Sequence, residues 1–405
     1  MKYGCMEYQP GMEETGGDIM DRVLELRRKY RPEAVEREAA CCALAKDRLD
    51  IDDFGALLSL AAGDLLEPMA ERARDMTARH FGNGVTLYTP LYIANYCDNR
   101  CVYCGFNADN HIRRAKLSLD GIRGELKAIA ATGLDEILLL TGESRGVSDV
   151  GYIGEAVRMA AGLFSAVCLE VYPLNTDEYA YLHSCGADYV SVYQETYAPD
   201  IYDAVHIDGP KRSFPYRFNA QERAIRGGMR GVSFGALLGL GDFYGDVYAA
   251  GLHALLIQKK YPWAEIAFSV PRLRAFKANG GDSARGNANA SEGELRAGNA
   301  GVYAGSGIGV GERLLFQAML ALRLFMPFAG ISISTRERAG FRDRAAGLCA
   351  TKMSAGVNVG VGGRISEQTG DEQFYIADTR GVDDIHSALV ANGLQPIYTD
   401  YVRTN

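Results

Sequence analysis

From residue 85 onward the chain alternates between short apolar runs and longer segments whose apolar residues recur every three or four positions. The short runs cover residues 85–93, 136–141, 167–172, 189–193, 232–238, 265–270, 330–335 and 353–359. Their length and their β-branched and aromatic content predict strands. Between them Leu119, Ile122, Leu126 and Ile129 fall at helical spacing and stop at Gly133. Thr176-Asp177-Glu178 places a capping residue and two acids where a helix N-terminus takes them. Further helices are predicted over 220–227, 246–260, 312–325 and 382–392. Strand–helix alternation implies parallel strands. Eight such strands imply closure into a β/α (TIM-type) barrel, with a doubly wound open sheet as the competing arrangement.

The pattern before residue 80 is different. Residues 18–80 read as helical, with Val23, Leu24 and Leu26 in one stretch and Leu57, Leu58, Leu60, Leu65 and Met69 in another. An N-terminal helical extension is therefore expected over 1–80, a barrel over 81–380, and a C-terminal helix and tail over 381–405. One stretch interrupts the barrel rhythm. Residues 278–311 are crowded with Gly, Ala, Asn and Ser and are long for a β/α connection, which predicts a surface insertion or a lid.

Composition narrows the class. The chain has 405 residues, 47% of them apolar and 23% charged, enough for a large core. A net charge of −8 argues against a nucleic-acid partner, which favours basic stripes. The longest apolar stretch, 314–333, is broken by Gln317 and Arg323, so no membrane span is expected. The first residues lack the apolar core of a signal peptide, and a cytoplasmic location is expected.

The chemistry concentrates in Tyr96-Cys97-Asp98-Asn99-Arg100-Cys101-Val102-Tyr103-Cys104. Cys97, Cys101 and Cys104 stand at C-x₃-C-x₂-C spacing. Thiolates hold iron–sulfur clusters, and a 4Fe–4S cluster takes up to four of them. Three local thiols leave one iron open to an external ligand. Zinc is the alternative, but its motifs pair C-x₂-C with a second pair downstream, and none follows here. The other six cysteines are scattered and are expected to have no role in metal binding. With the aromatic Tyr103 before the third cysteine, the motif is the signature of radical S-adenosylmethionine (SAM) enzymes. There SAM chelates the open iron and is cleaved to a 5′-deoxyadenosyl radical. Polar residues follow the predicted strands repeatedly: Thr141-Gly142-Glu143, Gln194-Glu195-Thr196, Pro271-Arg272-Leu273-Arg274 and Thr335-Arg336-Glu337. In a β/α barrel that is the catalytic rim.

Together these residues resemble the aromatic amino-acid lyases of the radical SAM superfamily, and most of all the tyrosine lyases of bacterial thiamine thiazole synthesis. The likeness rests on Pro90-Leu91-Tyr92-Ile93, the cysteine motif, Leu139-Leu140-Thr141-Gly142-Glu143 and Val192-Tyr193-Gln194-Glu195-Thr196-Tyr197. It continues through Ser269-Val270-Pro271-Arg272-Leu273-Arg274, Ser334-Thr335-Arg336-Glu337 and Gly393-Leu394-Gln395-Pro396-Ile397-Tyr398, spanning roughly residues 35 to 400. It implies cleavage of L-tyrosine at Cα–Cβ to p-cresol and 2-iminoacetate, delivery of the latter to a thiazole synthase, and a reductant such as flavodoxin or ferredoxin. Two relatives compete: the tyrosine-cutting maturase of iron-only hydrogenase, which carries a second cluster on C-terminal cysteines, and the tryptophan lyase of indolic-acid synthesis. In this sequence the last cysteine is Cys349. Two departures stand out, Ala275 where the family usually has proline and the length of the Gly-rich insertion. A non-catalytic iron–sulfur or zinc scaffold is the reading from another class.

The resemblance also implies roles. Gly142 and Glu143 match the element that contacts SAM's amino group, and Arg223 matches an arginine that pairs with its carboxylate, or else forms a helix-surface ion pair. Gln194 and Thr196 fall where relatives hold the ribose hydroxyls. Tyr103 either packs beside the adenine or is a core aromatic. Arg336 resembles the anchor of the tyrosine carboxylate, and Tyr92 a residue near the substrate amine. Arg272 belongs to the same rim, unless it braces the barrel through an acid.

Overall fold

A computed structural model describes residues 4–274 and 309–399. Ala275 and the Gly-rich stretch up to residue 308 lie outside the described residues. The apolar runs form eight parallel strands: β1 (Gly84–Ala94), β2 (Glu136–Thr141), β3 (Ala166–Glu170), β4 (Tyr189–Ser191), β5 (Gly231–Phe234), β6 (Glu265–Ser269), β7 (Gly330–Ile333) and β8 (Lys352–Ser354). They pair in chain order, and β1 joins β2 on one side and β8 on the other, so the sheet closes into a barrel and the open-sheet alternative falls away. A short β9 (Gln395–Ile397), within the region expected to be a tail, pairs with Gly84–Thr86 at the start of β1.

Period-two alternation sorts the strand side chains into two layers. Ile137, Leu139, Val167 and Leu169 join the large core between barrel and helices. Tyr92, Leu138, Leu140 and Cys168 form the smaller cluster with Phe106, Val359 and Val361. Several predicted strands overrun the observed ones, 232–238 against Phe234 and 353–359 against Ser354. The apolar pattern continues there because residues such as Val359 still pack inside the barrel after leaving the ladder.

The expected helices appear as α1 (Asp18–Lys29), α2 (Arg37–Ala45), α3 (Ile51–Leu57) and α4 (Leu66–Phe81), then α5 (Leu119–Ala130), α6 (Val150–Ala161) and α7 (Thr176–Ser184). After these come α8 (Pro199–Val205), α9 (Phe214–Phe218), α10 (Ala220–Arg226), α11 (Phe243–Lys260), α12 (Glu312–Phe325), α13 (Ala339–Ala345) and α14 (Val382–Ala391). Side-chain caps mark several starts: Ser118 accepts from Gly121 N at 3.1 Å, Asp149 from Tyr152 N at 2.8 Å and Asp242 from Gly245 N at 2.7 Å. The second N-terminal helical stretch is broken, because Gln317 of α12 donates to the carbonyls of Leu57 (3.1 Å) and Ser59 (2.8 Å). That satisfies the end of α3, and Phe54 stacks on Phe325 with ring centroids 4.4 Å apart. Among the described residues no helix is long and apolar enough to cross a membrane.

Candidate active site

The ladder between β1 and β2 slips between Tyr92 and Ala94, and this irregularity turns the chain into the cysteine loop. The buried Asn95 clamps the turn. It donates to the carbonyls of Arg113 (2.9 Å) and Asp371 (3.2 Å) and accepts from Ala115 N (2.7 Å). The Arg114 guanidinium gathers the loop's carbonyls, donating to Asn95 (2.7 Å), Phe106 (2.9 Å) and Asn107 (2.6 Å). Gly142, at the end of β2, lies against this loop: a Cβ there would sit 2.2 Å from the Tyr96 carbonyl oxygen. Its glycine thus lets two backbones meet, and it also lines the cavity.

Cys97, Cys101 and Cys104 all line one cavity of about 630 Å³, counting its open mouth. Among the described residues no three His, Cys, Asp or Glu groups stand close enough to hold a single metal ion. The three thiols share one cavity, as a cluster that takes each thiolate on a different iron requires. Asn99 Nδ2 lies 3.7 Å from Cys97 Sγ, and Gln373 Nε2 lies the same 3.7 Å from Cys104 Sγ. Burial pushes the Cys97 thiol up to about 11 and Cys101 well above its ordinary value. Thiols shifted this far up would ionise against a strong positive charge, such as a metal ion carries.

A lattice of buried charges forms another wall. Arg217 donates to Glu143 at 3.0 Å, to Glu195 at 3.1 Å and to the Tyr193 carbonyl at 2.6 Å. Lys211 Nζ lies 2.7 Å from Glu195 and 3.4 Å from Glu143, while Asn99 donates to the other Glu143 oxygen at 3.1 Å. Burial alone would raise both carboxyls, but Lys211 and Arg217 outweigh it and hold both below the ordinary range. Glu195 adopts φ 71°, and no other non-glycine among the described residues has positive φ. Such a conformation costs on the order of 1–3 kcal/mol, and the two cations on its carboxylate hold it there. A second cavity, of about 720 Å³ with its mouth, shares Glu143 and Lys211 and is bordered by Gln9–Met12 of the N-terminal arm, Arg145, Tyr172 and Tyr216.

The residues expected at the site divide. Cys97, Cys101, Cys104, Tyr92, Gly142 and Glu143 line the main cavity. Tyr92 donates to Gln373 Oε1 at 2.9 Å. Arg336 lies against the wall, with Tyr92, Glu170, Glu195 and Cys104 acting on its guanidinium, which stacks 3.5 Å over Phe374. Among the described residues its one side-chain hydrogen bond is a long 3.4 Å contact to the Arg272 carbonyl. Glu337 pairs with Arg272 and with Arg274 (3.1 Å), not with Arg336. Arg272 therefore takes the bracing position of the two that were open.

The structure places Arg223, Gln194 and Thr196 away from the cavity lining, and takes the core-aromatic alternative for Tyr103. Arg223 is fully buried away from the cavity, donating to the carbonyls of Leu174 (2.7 Å) and Tyr216 (2.6 Å) and stacked 3.9 Å over the Tyr216 ring. It braces α10 and forms no surface ion pair. Gln194 and Thr196 do not line the cavity; Glu195, between them, does. The left-handed turn at Glu195 presents that residue instead, and the Thr196 hydroxyl is spent on Asp246 at 3.1 Å. Tyr103 is interior: His206 Nδ1 donates to the Tyr202 carbonyl (2.8 Å), so its Nε2 accepts from the Tyr103 hydroxyl at 2.7 Å. Lys211, Arg217 and Glu170 were missed. Lys211 is one charge in a polar loop, whereas Glu170 lies inside the apolar run 167–172 and Arg217 among the aromatics of Phe214–Phe218, so no local pattern marks any of them.

This geometry and the sequence agree on a class: the chain belongs to the radical SAM superfamily, which residues 91–250 match, and such proteins use a 4Fe–4S cluster with SAM. Residues 269–395 match the biotin and thiamin synthesis associated domain. The chain is 37% identical over 360 residues to the 2-iminoacetate synthase of Salmonella typhimurium, covering 89% of each chain. It is 36% identical over the same length to that of Escherichia coli, again covering 89% of each. The FeFe-hydrogenase maturase of Carboxydothermus hydrogenoformans is similar in structure, with TM-score 0.79, 27% identity, and coverage of 96% of this chain and 86% of that one.

Proposed function

We propose that the chain is a 2-iminoacetate synthase that cleaves L-tyrosine at Cα–Cβ to 2-iminoacetate and p-cresol in thiamine biosynthesis. The observation that carries this reading is the identity of 36–37% across 89% of both chains to two such synthases. The cavity supports it, since thiols and a buried charge lattice line one barrel mouth, and Arg336, with no carboxylate partner among the described residues, feels Tyr92, Glu170 and Cys104 of that lining. Cys97, Cys101 and Cys104 hold a 4Fe–4S cluster, and the cluster with SAM supplies a 5′-deoxyadenosyl radical. Glu143, Lys211, Arg217 and Glu195 form the charged wall that receives SAM's zwitterionic end, with Arg217 in the place first expected of Arg223. Arg336 anchors the substrate carboxylate, because a guanidinium's planar fork binds carboxylate in two parallel bonds. Tyr92, tied to Gln373, borders the substrate, and the buried wall excludes water from the reacting atoms. Residues 1–80 serve as a structural extension, docking through contacts such as Phe54 on Phe325. A thiazole synthase takes the product, and a flavodoxin or ferredoxin supplies the electron. The test is anaerobic turnover of the reconstituted protein with SAM, reductant and tyrosine. p-Cresol is the expected product, and SAM cleavage without p-cresol would overturn the assignment.

A further inference from the structure

The charges around the main cavity balance except at two places. Glu143 and Glu195 are neutralised by Lys211 and Arg217, and Glu337 by Arg272 and Arg274. Glu170, at the C-terminal end of β3, also lines the cavity. It shares the inward face of that strand with Cys168, two residues before it. Among the described residues its carboxyl has no hydrogen bond and no ion pair. Arg336 is the other unmatched charge among the described residues, and the two act on each other without meeting as a salt bridge. A barrel wall that leaves one carboxyl and one guanidinium separately unpaired is complementary to a ligand carrying both an ammonium and a carboxylate.

We propose that Glu170 receives the α-ammonium of the amino-acid substrate, so that Glu170 and Arg336 hold the two charges of its head group. This rests on the reading of the site as a tyrosine-cleaving one. Each charge then finds its opposite in the dry cavity, and the Cα–Cβ bond is fixed in orientation by two ends. The carboxyl's own state agrees: burial, only partly offset by Arg336, raises Glu170 to about 7, as befits a carboxyl awaiting a cation. The charged groups acting on it are Arg336, Glu195, Arg217 and Lys211.

The experiment measures equilibrium binding to the reconstituted, SAM-loaded protein under anaerobic conditions. Three ligands are compared: L-tyrosine, 3-(4-hydroxyphenyl)propanoate, which lacks the amine, and L-phenylalanine, which lacks the phenol. In Glu170→Gln, tyrosine affinity is expected to fall at least tenfold while the amine-free analogue binds within twofold of wild type. Glu170→Asp, which keeps the charge, should lose less. Iron content and melting temperature confirm that each variant is loaded and folded; if Glu170→Gln is not, Glu170→Asp carries the comparison, with tyrosine weakened and the analogue unchanged. Unaltered tyrosine affinity overturns the proposal. So does a collapse of the tyrosine-over-phenylalanine preference, which would put Glu170 at the phenol, or a loss of SAM affinity, which would assign it to SAM. Wild-type p-cresol formation is scored separately: its absence overturns the parent reading, whereas p-cresol with unaltered Glu170→Gln affinity overturns only the Glu170 assignment.

Discussion

Gly142→Ala offers a sharp test of how the cysteine loop is held. The added Cβ would lie 2.2 Å from Tyr96 O, 2.9 Å from Tyr96 C and 3.0 Å from Asn95 C, all backbone atoms that cannot rotate aside. Reaching an ordinary 3.4 Å contact requires a retreat of 1.2 Å, the difference between the two distances. That movement works against the 2.8 Å bond from Gly142 N to Ala94 O. Overpacking costs about 1–3 kcal/mol and a lost hydrogen bond about 1 kcal/mol, so about 2–4 kcal/mol is expected. In a chain of this length the melting point should fall by roughly 2–5 °C. The same displacement moves Cys97 and its neighbours, and a misplacement of ~1 Å at a reacting centre costs on the order of 100-fold in rate. Thermal melting of the metal-free protein, iron per chain after reconstitution and the p-cresol rate measure the three effects. Gly146→Ala is the control, because nothing lies within 4 Å of its Cβ. Wild-type melting together with a full cluster in Gly142→Ala would refute the reasoning.

Alanine at Cys97, Cys101 or Cys104 should abolish SAM cleavage, whereas Cys41→Ala and Cys185→Ala should leave iron content at the wild-type level of about four per chain. Arg336→Lys keeps the charge but loses the planar fork, so tyrosine affinity should fall at least tenfold with SAM affinity and melting temperature unchanged; normal tyrosine affinity would end its role as anchor. Arg217→Met leaves two buried carboxylates to share Lys211 alone and should cost about 3 kcal/mol along with SAM binding, while Arg223→Met should lower stability and leave SAM affinity per folded molecule intact. Asp378 is raised by burial but lowered more by Arg380 and Arg342, ending below its ordinary 3.8. Its contribution is therefore present above 3.8 and lost as pH falls through the lower folded value. Asp378→Asn should remove about 3–5 kcal/mol at neutral pH, read by urea unfolding, and flatten that acid limb.

What was legible in the sequence followed from local rules. The cysteine spacing and the short apolar runs each depend on residues a few positions apart, and both reappear in the barrel, whereas the helix expected to take Thr176 as its cap is capped by Asn175. What escaped depends on backbone direction or on distant partners. The pattern Gln194-Glu195-Thr196 gives no hint that Glu195 turns left-handed and takes the cavity face from both neighbours. Arg217 and Arg223 are equally plausible by eye, yet the first meets two carboxylates and the second meets only carbonyls and a ring. Strand ends were read too long because apolar residues such as Val359 serve the barrel interior without a ladder partner.

The pairing of β9 with the first residues of β1 bears on how the protein is made. Gly84 waits for Gln395, and the edge of β1 waits for β8, so the founding strand of the barrel gains its last neighbours only after about 300 further residues have been made. The cysteine loop shares that delay, since Asn95 is held by the Asp371 carbonyl and Cys104 faces Gln373. Contacts of such long sequence separation close slowly. A growing chain that has not reached residue 373 therefore carries Cys97, Cys101 and Cys104 but lacks the groups that complete the wall around them.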